Sequence, residues 1–163
     1  MSADTLQSRP ATAADLETVL GLMRAFYAED HLVFDELIAR RALHELFAHP
    51  ELGTITLLLS PSPAIDPVAS SASAVIGHFT LTYGFSLEFH GRFALLDELY
   101  LIPSVRGRGW GRQSLALAAT TARDHGINAL RLEVNQANAH ARSVYLKAGF
   151  QDNRRDLFTQ WLH

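Results

Sequence analysis

Asp97-Glu98-Leu99-Tyr100-Leu101-Ile102-Pro103-Ser104-Val105-Arg106-Gly107-Arg108-Gly109-Trp110-Gly111-Arg112 decides the fold. It reads as a strand, a short loop and the first turn of a helix. Three glycines and three arginines share the seven positions from Arg106 to Arg112. Glycine lets a backbone approach a ligand closely. A helix N-terminus offers unpaired N–H groups and a partial positive charge. Arginine adds a planar fork suited to phosphate oxygens. The stretch therefore predicts an anion site, above all for a pyrophosphate.

Three other readings of the loop compete. A P-loop needs Gly, four residues, then Gly-Lys-Ser/Thr, and no lysine stands here. A dinucleotide fingerprint needs Gly-x-Gly-x-x-Gly directly after a strand. Here the order is Gly107-x-Gly109-x-Gly111, set off by Pro103 to Arg106, although Glu133 ends a later strand at a suitable distance. The bland reading is a solvated basic turn.

Arg106-Gly107-Arg108-Gly109-Trp110-Gly111 resembles the Arg/Gln-x-x-Gly-x-Gly/Ala signature of the GNAT-type N-acetyltransferases. A second match follows: Asn135-Gln136-Ala137-Asn138-Ala139-His140-Ala141-Arg142-Ser143-Val144-Tyr145-Leu146-Lys147-Ala148-Gly149-Phe150 resembles that family's Asn-x-x-Ala-x-x-x-Tyr-x-x-x-Gly-Phe segment. The opening Arg9-Pro10-Ala11-Thr12-Ala13-Ala14-Asp15 is similar to the usual start of such domains. The resemblance covers nearly the whole chain. It implies an α/β (α+β) GNAT fold, a central mixed sheet with helices on both faces, and acetyl-CoA as cosubstrate.

The bulk numbers agree with one domain over residues 1–163. The chain is 48% apolar and 19% charged, with net charge −3. Nothing basic argues for nucleic acid. There is no cysteine, which excludes disulfides, thiol catalysis and cysteine–zinc sites. His44 and His49 are not at the i, i+4 spacing of a helical metal pair, so no metal is expected. The lack of an apolar leader or of a membrane-length run makes a cytoplasmic protein the default expectation.

Taken in order, Leu6 to Arg9 reads as an edge strand stopped by Pro10. A helix covers Ala13 to Glu29, with Leu16, Val19, Leu20, Met23, Phe26 and Tyr27 on one face. Phe26 and Tyr27 are core, groove wall, or substrate contacts at the helix end. The acidic run Glu29 to Glu36 is a solvated helix end or a lure for a cationic amine. A second helix runs from Asp35 to Ala48, its apolar side drawn from Leu37, Leu43, Leu46 and Phe47. Thr54–Leu59 and Ala74–Tyr83 are strands, joined by the Pro- and Ser-rich Ser60–Ser73 connection. Gly77 marks a bulge or a close approach. Gly84 to Gly91 is a connection, Arg92 to Ile102 the central strand, and Trp110 to His125 a helix ended by Gly126. Leu115, Leu117 and Ala118 cover the sheet. A strand spans Ala129 to Val134, and Asn138 caps a helix to Ala148. Phe150 to Leu162 has room for two short strands.

Acetyl transfer to an amine requires a deprotonated amine, donors for the developing oxyanion and a proton for the thiolate. The resemblance implies that Leu99, Tyr100 and Leu101 present free backbone amides where the central strand splays from its neighbour. It assigns Arg106, Gly107, Arg108, Gly109, Trp110, Gly111 and Arg112 to the pyrophosphate. Asn138 caps a helix, touches pantetheine, or does both. Tyr145 matches the family's general acid, a phenol of pKa about 10 suited to a departing thiolate. Its bland role is packing in the stripe Ala141, Val144, Tyr145 and Ala148. Glu98 stands ahead of Asp97 as base, since carboxylates are unusual in so apolar a strand. A salt bridge to Arg92 or Arg131, or a water relay, is the alternative. Diamine acetyltransferases, which the opening and central strand resemble, carry an acid at both positions.

The expected function is acetyl transfer from acetyl-CoA to a small-molecule primary amine by direct attack in a ternary complex. A non-catalytic acyl-CoA-binding module and acetylation of a peptide N-terminus are the alternatives. Leu157, Phe158 and Trp161 put apolar bulk at the C-terminal end, and with exposed strand edges they predict a homodimer.

Overall fold

A computed structural model describes residues 5–61 and 74–162. Its elements are β1 (Gln7–Pro10), α1 (Leu16–Glu29), α2 (Glu36–Ala48), β2 (Gly53–Leu59), β3 (Val75–Ser86), β4 (Gly91–Leu101), α3 (Trp110–Asp124), β5 (Ala129–Leu132) and α4 (Ala139–Lys147). Most of the Ser60–Ser73 connection lies outside the described residues. The described residues group into two compact units that divide between Glu133 and Val134. The first holds the sheet and α1 to α3. The second holds α4 and the chain after it.

The sheet has the order β1-β2-β3-β4-β5. The first four strands are antiparallel, and β5 runs parallel to β4. A parallel neighbour cannot be reached by a tight turn, so the chain crosses over through α3. Local chemistry starts each helix. Asp15 accepts from the Thr12 amide at 2.9 Å and pairs with Arg9 at 2.7 Å, which fixes the short 3₁₀ turn ahead of α1. Asp35 caps α2 by accepting from the Ile38 amide at 3.1 Å.

Val19, Leu20, Met23 and Leu43 of α1 and α2 pack with Ile55, Leu57 and Tyr100 on one face of the sheet. On α3, Leu115, Ala118 and Ala122 are buried against β3 and β4. Gly77 is a close approach: a Cβ there would lie 2.1 Å from the Tyr100 carbonyl oxygen. A bulge also lies nearby, since the β2–β3 register slips between Leu58 and Leu59.

Three expectations change. Leu37 is 71% exposed, because it lies about 240° around α2 from the buried Leu43. Gly84 to Ser86 are strand rather than connection, pairing with Phe93 to Gly91, and the turn shrinks to residues 87–90. Gly84 serves contact there, for a Cβ would meet the Phe93 ring at 2.5 Å. The two strands expected over Phe150 to Leu162 do not form. Asp152 accepts from the Arg154 amide at 2.9 Å and Arg154 takes a positive φ of 51°, which breaks the extended run. Among the described residues of that unit there is no strand to supply a ladder.

Candidate active site

The pairing of β4 is unequal along its length. Against β3 it continues to Leu101, but against β5 it stops at Leu96, opposite Leu132. Ile102 donates its amide to the Ile76 carbonyl at 2.9 Å. Backbone groups alternate along a strand, so the Tyr100 amide also turns toward β3, where Tyr100 faces His78. Leu99 and Leu101 turn their N–H groups to the opposite edge, beyond the last β5 pair. Of the three expected amides, two address the open edge. The Leu101 carbonyl on that edge accepts from Arg106 Nε at 2.8 Å.

The glycine loop follows directly. Gly109 adopts φ 80° and ψ 1°, a left-handed conformation that favours glycine, and stands at the N-cap of α3 with no side chain to close it. A Cβ at Gly107, Gly109 or Gly111 would meet nothing within 4 Å. The first amides of α3 have no intrahelical acceptor. This open cradle at the end of a 15-residue helix fits a pyrophosphate. The arginines behave differently from one another. Arg106 donates to both Glu29 oxygens, at 2.8 and 3.0 Å, and lies over the Tyr100 ring, so its charge is engaged within the protein. Arg108 stacks over Trp110. Trp110 is buried, and only its backbone can serve a ligand.

The two strand carboxylates have distinct environments. The β3–β4 register slips where Thr80 pairs with Glu98 and Leu81 with Leu96, leaving Asp97 as the unpaired bulge residue. Asp97 is exposed. It and Glu133 are the first residues past the last β4–β5 pair. The surrounding chain desolvates its carboxyl, and Glu98 and Glu133 add repulsion, so its pKa lies above the usual carboxylate range. Glu98 is buried, with its carboxylate 2.8 Å from Nε2 of the fully buried His78. Burial, followed by the charge of Glu98, pushes the phenol pKa of Tyr27 up. Neither carboxylate pairs with Arg92, which lies over Tyr83, or with Arg131, which lies over Phe89 and Phe93.

In the second unit, Asn138 caps α4 by accepting from the Ala141 amide at 3.0 Å. Tyr145 is half-buried on α4 and meets the Phe150 ring edge-on at 6.0 Å. Arg142 pairs with Asp152 at 2.6 Å.

Three of the four acids in the run after α1 make internal bonds: Glu29 holds Arg106, Asp35 caps α2, and Glu36 pairs with Arg24 and Arg40. Sequence reasoning passed over His78 as a site residue. Its signal is a histidine inside an apolar strand, but its partner depends on a register that a single sequence does not display.

Residues 40–150 match the profile of the Acetyltransferase (GNAT) family. The mouse thialysine N-epsilon-acetyltransferase is 26% identical over 146 residues, covering 88% of this chain and 83% of that one. An integron cassette protein from the mobile metagenome of Cole Harbour Salt Marsh superposes with TM-score 0.78 at 30% identity, over 96% of this chain and 91% of that one. A Clostridium acetobutylicum acetyltransferase solved with acetyl-CoA shares the fold at TM-score 0.74 and 17% identity, over 95% of this chain and 96% of that one.

Proposed function

The chain belongs to the GNAT family of acetyltransferases and is an acetyl-CoA-dependent acyltransferase; on that premise we propose that it acetylates the primary amine of a small molecule by direct attack in a ternary complex. The observation that carries this reading is the open β4 edge at Leu99 and Leu101, which leads straight into the Gly109 cradle. Acetyl-CoA supplies an activated acetyl group as a thioester. The cradle amides of residues 107–112 hold its pyrophosphate. The Leu99 and Leu101 amides take the role of strand donors, and one of them faces the acetyl oxygen as charge develops on it.

Asp97 takes the amine proton. It is the carboxylate open to an acceptor, it sits where β4 and β5 part, and its proton affinity is raised. Glu98 remains a fixed charge beside it. The freed nitrogen pair forms the C–N bond, the C–S bond breaks, and the thiolate receives a proton from Tyr145. Asn138 keeps its capping role and lends its side chain to the pantetheine arm. The whole chain works as one catalytic domain, and it does so as a cytoplasmic homodimer.

A transfer assay following thiol release and acetylated product tests the proposal. Its acceptor panel contains thialysine, after the mouse relative's name, a diamine, an aminoglycoside and a peptide with a free N-terminus. Acetylation of at least one small amine is expected. Tight acetyl-CoA binding with no product from any acceptor would make the chain a binding module, and turnover of the peptide alone would move the substrate class.

A further inference from the structure

The His78–Glu98 contact is a buried polar pair between β3 and β4, and its histidine has no part in the mechanism above. His78 is fully buried, and its Nδ1 has no hydrogen-bond partner. Either tautomer leaves that nitrogen bare, but the two cost differently. A buried N–H without an acceptor is the rarer and more expensive orphan, whereas a lone pair without a donor is tolerated more often. The proton therefore sits on Nε2 and is donated to Glu98 Oε2 at 2.8 Å. The His78 Nε2–H thus addresses the Glu98 carboxyl group, next in the chain to the bulge that carries Asp97, and the Tyr27 ring comes near from the α1 side.

We infer that His78 is a positioning residue for acetyl transfer: its Nε2–H keeps Glu98 a fixed anion beside Asp97, and through that charge it holds the proton-accepting carboxyl of Asp97 in a receptive state. This rests on the reading of Asp97 as proton acceptor. The groups that face the pair are few. Tyr27 approaches from α1 and His78 from β3. Glu133 approaches Asp97 from beyond β5. Tyr100 lies two residues along the same face of β4, with Glu29 and Arg106 bound to it and to each other. Of these, His78 is the one hydrogen-bonded to Glu98.

The test compares substitutions that differ in reach. Gln extends an amide nitrogen to about the position of Nε2, whereas Asn stops at about that of Nδ1. The Asp97 carboxyl is titrated by carbon NMR in full-length protein, with its signal assigned from the Asp97→Asn spectrum. His78→Gln should leave the Asp97 titration where it is in the wild type. His78→Asn and Glu98→Gln should both move it to lower pH, and the double variant should move it no further than Glu98→Gln alone. If His78→Asn does not fold, His78→Leu replaces it under the same criterion. A shift in Glu98→Gln with none in the donor-deleted His78 variant would overturn the inference. Equal shifts in His78→Gln and the donor-deleted variant would overturn it as well. Turnover separates this from the reading beneath it. With acetyl-CoA and thialysine, kcat of the donor-deleted variant should fall about ten- to a hundredfold, the range spanned by a hydrogen bond to a charged group, with KM for acetyl-CoA unchanged. Undiminished kcat in Asp97→Asn would instead remove Asp97 as base, while the NMR link between His78 and Asp97 could stand.

Discussion

Replacing Gly109 by valine separates backbone strain from ligand exclusion. At φ 80° an L residue is strained, yet a Cβ there meets nothing within 4 Å, so the protein itself offers no clash. The cost to the free protein is then the left-handed conformation alone, about 1–2 kcal/mol. For a chain of this length that lowers Tm by about 2–8 °C. Gly126 closes the far end of α3 with φ 68° and equally open space, which makes Gly126→Val a matched control for strain. Binding of CoA at micromolar Kd is worth about −8 kcal/mol. At a hundred times Kd it stabilises the fold by about 2.7 kcal/mol, a Tm rise of about 5–10 °C in the wild type. Thermal melts with and without CoA read both effects at once. Gly126→Val should lose basal stability and keep the ligand-induced rise. Gly109→Val should lose both, because the added methyls occupy the space assigned to the pyrophosphate. A full CoA-induced rise in Gly109→Val would refute the placement of the cofactor on this loop.

Tyr145→Phe keeps the ring contact with Phe150 and deletes only the hydroxyl. Its kcat should fall about 10²–10⁴-fold with CoA affinity nearly unchanged, and an undiminished chemical step would leave Tyr145 as packing. Asp97→Asn should raise Tm at neutral pH while abolishing turnover. The folded-state pKa of Asp97 is raised, so its contribution to stability is present below the ordinary carboxylate range and is lost as pH rises through the folded value. The gain from Asn should therefore vanish below about pH 4; a variant no more stable than the wild type at pH 7 contradicts the raised value. Phe158 and Trp161 are 90% and 77% exposed. Light scattering at tens of micromolar should give the mass of a dimer, and a monomer mass would leave that apolar surface without its expected partner.

What was legible in the sequence was what is local. The Gly109 turn, the Asn138 cap and the start of the second helix at Asp35 each depend on residues within one turn, and the structure shows them. What failed depends on partners. Asp97 and Glu98 were visible as carboxylates in an apolar strand, but the bulge that frees Asp97 is a property of two strands in register. Apolarity alone put Leu37 in the core and strands after Phe150. The phase of α2 overruled the first, and the absence of a pairing strand in that unit overruled the second. Arg106 is paired with Glu29, far away in sequence, a contact that a single sequence does not display.

The open stretch of β4 has a consequence for selectivity against polypeptides. A bare strand edge is a template for any extended chain. Here the gap lies on the β5 side of β4, bounded by the end of β5 and by the turn before α3. From Asp97 to Leu101 it spans about 13 Å at strand rise, and it offers two outward amides. An invading peptide would gain only two or three ladder bonds before meeting the glycine turn, too few to offset the ordering of its own backbone. A thin, flexible ligand with one polar group every few atoms and a charged end for the cradle fills the same gap at full length. The fold thereby keeps a strand-shaped vacancy that proteins themselves are poorly built to occupy.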